Sequence, residues 1–285
     1  MIAVTGATGQ LGRLVINALL KKVPANEIIA AVRSPEKAID LAALGIQVRK
    51  ADYSQPTTLE AAFQGVDKLL LISSSEVGQR IAQHTAVINA AQHAGVKLLA
   101  YTSLLHADTS TLGLGEEHRV TESLLRESGL PVVLLRNGWY TENYAASIAP
   151  ALAHGAFIGA VGDGRIASAT REDYAQAAAE VLTQENQAGK VYELAGDDSY
   201  SLAEFSAEIA RQSGKPVVYK NLSEADFKQA LLSAGLPEVF ASLLADSDAG
   251  AAKGGLFDDS HTLSKLIGRP TTPYAKVIAT TLAAS

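Results

Sequence analysis

Short apolar runs alternate with amphipathic stretches over the first 136 residues, and this alternation limits the possible folds more than any other feature. Six runs of four or five residues are rich in Val, Ile and Leu, as is typical of strands covered on both faces. They are residues 2–5, 28–32, 47–50, 69–72, 98–102 and 132–136. Strands that alternate with helices require right-handed crossovers and form a parallel sheet. The sequence therefore predicts an α/β fold with a Rossmann-type, doubly wound parallel sheet over residues 1–137.

Helical spacing is clearest between the first two predicted strands and between the fourth and the fifth. The apolar faces predicted there carry Leu11, Leu14, Val15, Ala18 and Leu19 on one helix, and Val77, Ile81, Ile88 and Ala91 on the other. Residues spaced in this way lie on one side of a helix and are expected to pack on the sheet.

The alternation changes after residue 136. Helices are predicted near residues 141–153, 171–182, 202–213 and 225–234 and after Pro237, strands at 191–195 and 217–219, and a glycine-rich turn at 155–164. These elements predict a smaller C-terminal α/β lobe over residues 138–285, with some segments returning to the main sheet. We expect this lobe to bind the substrate.

A glycine-rich turn follows the first predicted strand and opens the first helix. Gly6 permits a tight turn, Gly9 allows the backbone to approach a pyrophosphate, and Gly12 allows close packing of helix on sheet. The free N–H groups and the positive dipole at the start of the helix favour phosphate there. The turn is thus a predicted dinucleotide site, formed by Gly6, Ala7, Thr8, Gly9, Gln10, Leu11 and Gly12.

The end of the second predicted strand indicates which dinucleotide binds. An acidic residue there would accept a hydrogen bond from the ribose 2′-hydroxyl of NAD, but this strand ends in Ala-Ala-Val-Arg-Ser-Pro. Arg33 occupies the position of the acid, and Lys37 lies one helical turn further on. A charged hydrogen bond from Arg33 to a 2′-phosphate is worth roughly 1.5–3 kcal/mol. The sequence therefore favours NADPH over NADH as the cofactor.

Composition excludes several classes of protein. The chain has no cysteine, which removes disulfides and thiolate metal sites and is typical of a reducing cytoplasm. Its net charge is −6 with no strongly basic stretch, which argues against nucleic acid as a partner. No apolar run approaches the ~20 residues of a membrane helix, and no charged leader precedes the first strand. We expect a cytoplasmic protein, monomeric or homodimeric, with no membrane partner.

Several catalytic motifs are missing. None of the nine tyrosines is followed four residues later by lysine, so the acid that reduces simple ketones in short-chain dehydrogenases is not present. The chain also lacks a Gly-x-Ser-x-Gly elbow, a phosphate-binding Gly-x-x-x-x-Gly-Lys loop and a His-x-x-x-His metal pair. His106 and His118 flank a predicted loop at residues 107–117. Histidines in such loops are more often solvated than catalytic, so we expect both to be solvated.

Several segments together resemble a known family, the NmrA-like atypical short-chain dehydrogenase/reductases, and among them the bacterial NADPH-dependent quinone reductases. They are the turn at 6–12, Arg33, the residues 52–54, 121–123 and 128–129, and the stretch 135–144. The resemblance implies that NADPH lies on the turn with Arg33 at its 2′-phosphate. It also implies that two segments line the nicotinamide half, namely Ser73, Ser74 and Ser75, and Asn137, Gly138, Trp139, Tyr140 and Thr141. Both segments follow predicted strands at the carboxyl edge, where such sheets bind ligands.

The substrate side is predicted from the same stretch. Trp139, Tyr140 and Tyr144 either pack in a core or form the wall of a pocket for a flat aromatic ring. Hydride addition to a quinone gives a delocalised oxyanion, so water or a neutral donor such as Tyr140 or Asn143 suffices in place of a strong acid. We therefore expect flavin-free reduction of quinones by NADPH, with a redox sensor that binds NADP(H) without turnover, or another reductase, as alternatives.

Overall fold

The computed structural model of the protein describes residues 1–76 and 78–284. The chain forms two compact units, each built from separate stretches of sequence. The first unit comprises Met1–Ser103, Glu117–Arg136 and Arg171–Tyr192, and the second comprises Leu104–Glu116, Asn137–Thr170 and Glu193–Ser285. The predicted limits at 1–137 and 138–285 differ from this division, because residues 104–116 group with the second unit and 171–192 with the first.

The described residues contain nine strands in two sheets. The strands are β1 (Ile2–Thr5), β2 (Ile28–Val32), β3 (Gln47–Lys50), β4 (Lys68–Leu71), β5 (Leu98–Leu104), β6 (Val132–Asn137), β7 (Ala156–Gly159), β8 (Val191–Leu194) and β9 (Val218–Asn221). The larger sheet has the order β3-β2-β1-β4-β5-β6-β8. The pairs β1–β2, β1–β4, β2–β3 and β4–β5 are parallel. The predicted doubly wound sheet is confirmed.

The limits of the first three strands agree with the sequence prediction. Their burial does not, because β3 lies at the edge of the sheet and all four of its residues are exposed or half-buried. β1 and β2, by contrast, are buried throughout. A strand at the edge has only one neighbour, so its polar residues Gln47, Arg49 and Lys50 remain in contact with water.

Thirteen α-helices connect these strands in the described part of the chain. They are α1 (Gln10–Leu19), α2 (Ile39–Ala43), α3 (Pro56–Ala62), α4 (Arg80–His93), α5 (Gly115–Glu127), α6 (Thr141–Ala145), α7 (Ile148–His154), α8 (Arg171–Thr183), α9 (Leu202–Ser213), α10 (Glu224–Ser233), α11 (Glu238–Ala251), α12 (Thr262–Ile267) and α13 (Tyr274–Ala283). The helix predicted near 141–153 is two helices, α6 and α7.

A short strand occupies part of the segment predicted as a glycine-rich turn. Residues 156–159 form β7, which pairs in parallel with β9 from Ala156 opposite Val218 to Gly159 opposite Asn221. Phe157 is buried in the core of the second unit, and this burial fixes the strand where glycine content alone suggested a turn.

In the first unit, apolar side chains of the central strands pack against the helices that cover the sheet. Helix α1 buries Leu11, Val15 and Leu19, as its spacing predicts, and α8 packs against it. An ion pair of 2.7 Å joins Lys22 Nζ, just after α1, to Glu180 Oε1 of α8. Residues 171–192 are thus a late segment of the chain that completes this unit.

Helix α4 differs from its predicted apolar face. Ile88 and Ala91 are buried as expected, but Ile81 is 38% exposed. The helix instead turns the polar side chains of Arg80, Gln83 and His84 inward at its beginning, where they hydrogen-bond to neighbouring loops. Val77, which the periodicity also placed on this face, lies outside the described residues. Apolar periodicity alone fails here because the buried start of the helix is polar.

The core of the second unit is rich in aromatic side chains. The rings of Phe157 and Phe205 lie 5.5 Å apart in an edge-to-face arrangement, and those of Tyr200 and Tyr274 lie 4.4 Å apart with their planes tilted by 37°. Such ring contacts add stability beyond the contribution of the apolar area that the rings bury.

Over residues 1–76 and 78–284, no helix combines the length and apolarity that crossing a bilayer requires.

Candidate nucleotide-binding site

The glycine turn has the geometry that its sequence predicts. Gly6 has φ +59°, a conformation that favours glycine, and its carbonyl oxygen accepts a 2.9 Å hydrogen bond from the Gly9 N–H. A Cβ atom on Gly12 would lie 2.3 Å from the Gly6 carbonyl oxygen and 2.7 Å from the Cα of Ala7. The close approach of helix α1 to the turn therefore depends on glycine at position 12.

The start of helix α1 is open to an anionic ligand. Gly9 is its N-cap and provides no side chain that accepts a hydrogen bond from the first turn. The first turn also carries no acidic residue that would neutralise the positive end of the helix dipole. The N–H groups there are suited to a pyrophosphate.

A cavity of about 540 Å³ lies over this turn in the first unit. Most of the predicted cofactor residues of this unit line it, namely Gly6, Thr8, Gly9, Gln10, Leu11, Gly12, Arg33, Ser73, Ser74 and Ser75. Ala7 is fully buried and is not among the lining residues, so a contact from Ala7 to the cofactor stays a prediction. The volume fits a part of a dinucleotide.

The cavity also has walls that the sequence argument did not include. Ala51, Asp52, Tyr53, Ile72, Glu76 and Gln83 complete its lining. The first three follow β3, while the others follow β4 or lie on α4. Their positions after β3 and β4 could have indicated these residues from the sequence. The carboxyl ends of parallel strands lie on the same edge of the sheet, where the turn after β1 also lies.

Tyr53 lines the cavity and is fixed by hydrogen bonds to β1 and to the residue after β4. Its hydroxyl lies 2.6 Å from Thr5 Oγ1 and 3.0 Å from the carbonyl oxygen of Ile72. Thr5 Oγ1 in turn donates to the carbonyl of Leu70 and accepts the Ile72 N–H. Burial raises the pKa of the Tyr53 phenol, so this side chain is a neutral structural group rather than an activated acid.

Ser74 is held by the polar beginning of α4. Its N–H donates to His84 Nε2 at 3.0 Å, and its carbonyl accepts from Arg80 Nε at 2.8 Å. Its hydroxyl donates to Gln83. His84 Nδ1 lies 3.0 Å from Thr121 Oγ1, whose own proton goes to a backbone carbonyl. His84 is therefore neutral, with its proton on Nδ1, and positions the serine loop.

Burial and the nearby Arg80 lower the pKa of His84 to about 3, which agrees with this neutral form.

His118 is expected to be solvated but is buried. It lies on α5, and its Nδ1 is 2.7 Å from the Tyr101 hydroxyl. Burial lowers its pKa well below the usual range. Helix α5 begins at Gly115, within the segment predicted as a loop, and this brings His118 inside.

Arg33 lines the cavity and has an acidic partner. Its Nη1 donates to Glu76 Oε1 at 2.8 Å, and both side chains line the cavity. The acid that is absent from the end of β2 is thus provided by the loop after β4.

The remaining predicted site residues belong to the second unit. Asn137 ends β6 and is 5% exposed, and its Oδ1 has no hydrogen-bond partner among the described residues. A buried acceptor of this kind is suited to a donor on a ligand. Thr141 Oγ1 lies 2.8 Å from Ser168 Oγ, which contacts the Tyr200 hydroxyl at 2.6 Å. Thr141 is thus part of a buried hydroxyl chain.

The aromatic stretch divides between core and partly accessible positions. Trp139 and Tyr144 are buried in the core of the second unit, which is the packing alternative for these two rings. Tyr140 and Asn143 are half-buried, and Gly138 donates its N–H to the carbonyl of Leu194 at 2.8 Å. Tyr140 and Asn143 therefore remain candidates for contact with a substrate.

A parallel doubly wound sheet with a cavity over its glycine turn defines a nucleotide-binding protein of the Rossmann type. The chain belongs to the NmrA-like family, whose family model matches residues 1–266.

Individual relatives resemble the chain over nearly its whole length. It is 64% identical to Quinone oxidoreductase 2 of Escherichia coli (strain K12) over 279 residues, 98% of each chain. The crystal structure of the E. coli NADPH-dependent quinone oxidoreductase complexed with NADPH superposes with a TM-score of 0.97 at 63% identity, covering 99% of this chain and 100% of that one. The Citrobacter sp. triphenylmethane reductase complexed with NADP(H) gives a TM-score of 0.95 at 41% identity, covering 99% and 100%.

Proposed function

We propose that this protein reduces quinones to hydroquinones in one two-electron step, with NADPH as the direct donor and without flavin. The observation that carries the proposal is the 64% identity to Quinone oxidoreductase 2 over 98% of both chains. The relative that superposes with a TM-score of 0.97 holds NADPH. The chain is accordingly an oxidoreductase, and NADPH is its cofactor.

The first unit has the groups that such a cofactor requires. The turn at residues 6–12 and the open start of α1 bind the pyrophosphate, and Arg33 binds the 2′-phosphate. We assign the serine loop at residues 73–75 to the nicotinamide half, because α4 holds its backbone rigidly. When bound, NADPH supplies the hydride, and the residues of the chain supply position and orientation.

The phenols whose pKa values shift support a quinone as the substrate. Burial raises the pKa of Tyr53, Tyr101, Tyr144 and Tyr200, so none of these four is an acid activated for ketone reduction. A simple ketone requires a strong proton donor in the transition state, a role worth roughly 10²–10⁴-fold. A quinone disperses the new charge over its ring. We assign the weaker donation that it needs to Tyr140 and Asn143.

We also propose the cellular location, the partners and the oligomeric state of the enzyme. We infer that it acts in the cytoplasm on a small quinone, without nucleic acid or membrane as a partner, as a monomer or homodimer. We also assign the substrate-binding role to the C-terminal lobe, because Tyr140 and Asn143 belong to the second unit.

The test is direct. Purified protein is mixed with NADPH and a small benzoquinone, and the absorbance of the reduced cofactor is followed, with NADH as the comparison. We expect rapid loss of absorbance with NADPH and a slower loss with NADH. Tight binding of NADPH with no oxidation by any quinone offered would contradict the proposal and favour a redox sensor.

A further inference from the structure

Arg33 and Glu76 form an ion pair that joins the segments following β2 and β4, the two strands on either side of β1. Arg33 follows β2 and Glu76 follows the end of β4, and the sheet order places β1 between those strands. The Nη1–Oε1 distance is 2.8 Å, and both side chains line the cavity over the glycine turn. The pair therefore spans the carboxyl end of β1, where the turn begins.

Glu76 is directed towards Arg33 by its own neighbours. Gln83 Nε2 of α4 donates to Glu76 Oε2 at 2.7 Å, which leaves Oε1 for the guanidinium. The Glu76 N–H donates to Ser74 Oγ at 3.1 Å, so the backbone is held as well. Both oxygens of the Glu76 carboxylate therefore have hydrogen-bond donors, although the side chain is exposed to water.

The carboxylate and a 2′-phosphate require the same donors. A guanidinium binds either anion through the same planar N–H groups, and two anions beside one arginine repel each other. We propose that Glu76 is a specificity-determining residue that competes with the 2′-phosphate of NADPH for Arg33. The preference for NADPH over NADH is therefore smaller than Arg33 alone would give. This inference rests on the proposed function.

The expected size of the effect follows from exposure. The Arg33 side chain is 69% exposed and that of Glu76 is 45% exposed, so water screens the pair. Exposed ion pairs of this kind change an equilibrium by about two- to fivefold. The effect also decreases with added salt, because the Debye screening length shortens to ~10 Å at an ionic strength of 0.1 M.

The experiment compares ligands that differ only in the 2′-phosphate. Adenosine 2′,5′-bisphosphate and 5′-AMP are titrated calorimetrically into the wild-type protein and the Glu76→Gln variant at low salt, followed by NADPH and NADH. We expect the variant to bind the bisphosphate and NADPH about two- to fivefold more tightly. Affinity for 5′-AMP and NADH is expected to change little. A merely structural role of Glu76 would change all four affinities together.

Two further variants serve as controls. Glu60→Gln removes the same charge from α3, on a side chain that does not line the cavity, and is expected to leave the ratio of affinities unchanged. In an Arg33→Ala background, Glu76→Gln is expected to lose most of its effect, because the competition requires the guanidinium.

The outcomes separate the two proposals. Unchanged or weaker binding of the bisphosphate by Glu76→Gln, with a wild type that binds NADPH, would overturn the role of Glu76 and leave the enzyme's function standing. Equal tightening by Glu60→Gln would also overturn it, since net charge then explains the result. A wild type that binds no NADPH would remove both proposals.

Discussion

Gly12 is the residue at which the cofactor turn tolerates a side chain least. The Cβ of an alanine there would contact backbone atoms of Gly6 and Ala7, which cannot rotate away as a side chain can. We expect Gly12→Ala to lower the free energy of unfolding by about 1–3 kcal/mol and to weaken NADPH binding. Urea unfolding and a cofactor titration measure both effects.

Gly9→Ala is the matched control for this substitution. Its Cβ would lie 3.2 Å from the Gly6 carbonyl oxygen, a tight contact that a small shift relieves. A loss of stability as large in Gly9→Ala as in Gly12→Ala would show that the close approach at position 12 is not what matters.

Asn143 is the residue through which the proposed substrate role is tested most cleanly. If its amide donates to the developing oxyanion of the quinone, Asn143→Ala lowers kcat by about 10²-fold. Binding of NADPH should be unchanged, because Asn143 is not among the predicted cofactor residues. Steady-state rates with a benzoquinone and a separate NADPH titration distinguish the two. A parallel loss of both would move Asn143 out of the substrate site.

Among the elements, β5, β6 and α5 are joined by one buried carboxylate. Glu122 of α5 is fully buried, and it accepts from Ser103 Oγ at 2.6 Å and from Arg136 Nη2 at 2.6 Å. Arg126 adds a bond of 2.8 Å from a side chain that is 56% exposed. The pairing of Glu122 with the buried Arg136 thus connects the helix to the ends of two strands.

Glu122→Gln would remove the negative charge that accepts two hydrogen bonds from the buried Arg136 guanidinium. We expect Glu122→Gln to destabilise the protein by about 3–5 kcal/mol, measured by denaturant unfolding. Arg126→Ala removes an exposed partner of the same carboxylate and is expected to cost less than about 1 kcal/mol. Equal effects of the two variants would contradict the assignment of the buried pair as the dominant interaction.

Most elements were predictable because each depends on its own sequence. β1, β2 and β3 have the limits that apolar runs indicate, and α9 spans residues 202–213 as its periodicity predicts. The failures occur where a neighbour in space decides. β7 needs β9 as its partner, and the start of α4 is polar because its side chains hydrogen-bond to the loop before the helix and to Thr121 of α5.

At the scale of the whole molecule, a buried acid makes stability depend on pH. Asp248 of α11 accepts from the Ala160 N–H at 2.8 Å and from the Tyr144 hydroxyl at 3.3 Å, within the second unit. Burial raises its pKa to about 6. The ordinary pKa of an aspartic acid is 3.8. Between pH 3.8 and about pH 6 the folded state therefore keeps a proton on Asp248 that the unfolded state releases. The free energy of unfolding contributed by Asp248 thus increases as pH falls.

The contribution of Asp248 should be about 1 kcal/mol larger at pH 5 than at pH 7. The neutral buried His84 acts in the opposite direction, because its lowered pKa costs stability as pH falls below 6.5. The comparison is therefore made against Asp248→Asn at each pH by denaturant unfolding. Relative to this variant, the wild type should gain stability from pH 7 to pH 5. A difference that does not change with pH would contradict the raised pKa.

The amino-acid sequence alone determined the doubly wound sheet, the glycine turn and the basic residue after β2. The turn and the basic residue are local patterns of a few consecutive residues, and the sheet follows from apolar runs that alternate with amphipathic stretches along the chain. Only the tertiary structure decided that Glu76 lies beside Arg33, that His84 holds Ser74, and that Asp248 is buried. Those contacts join residues of different elements and loops, and their partners are chosen by how the elements pack.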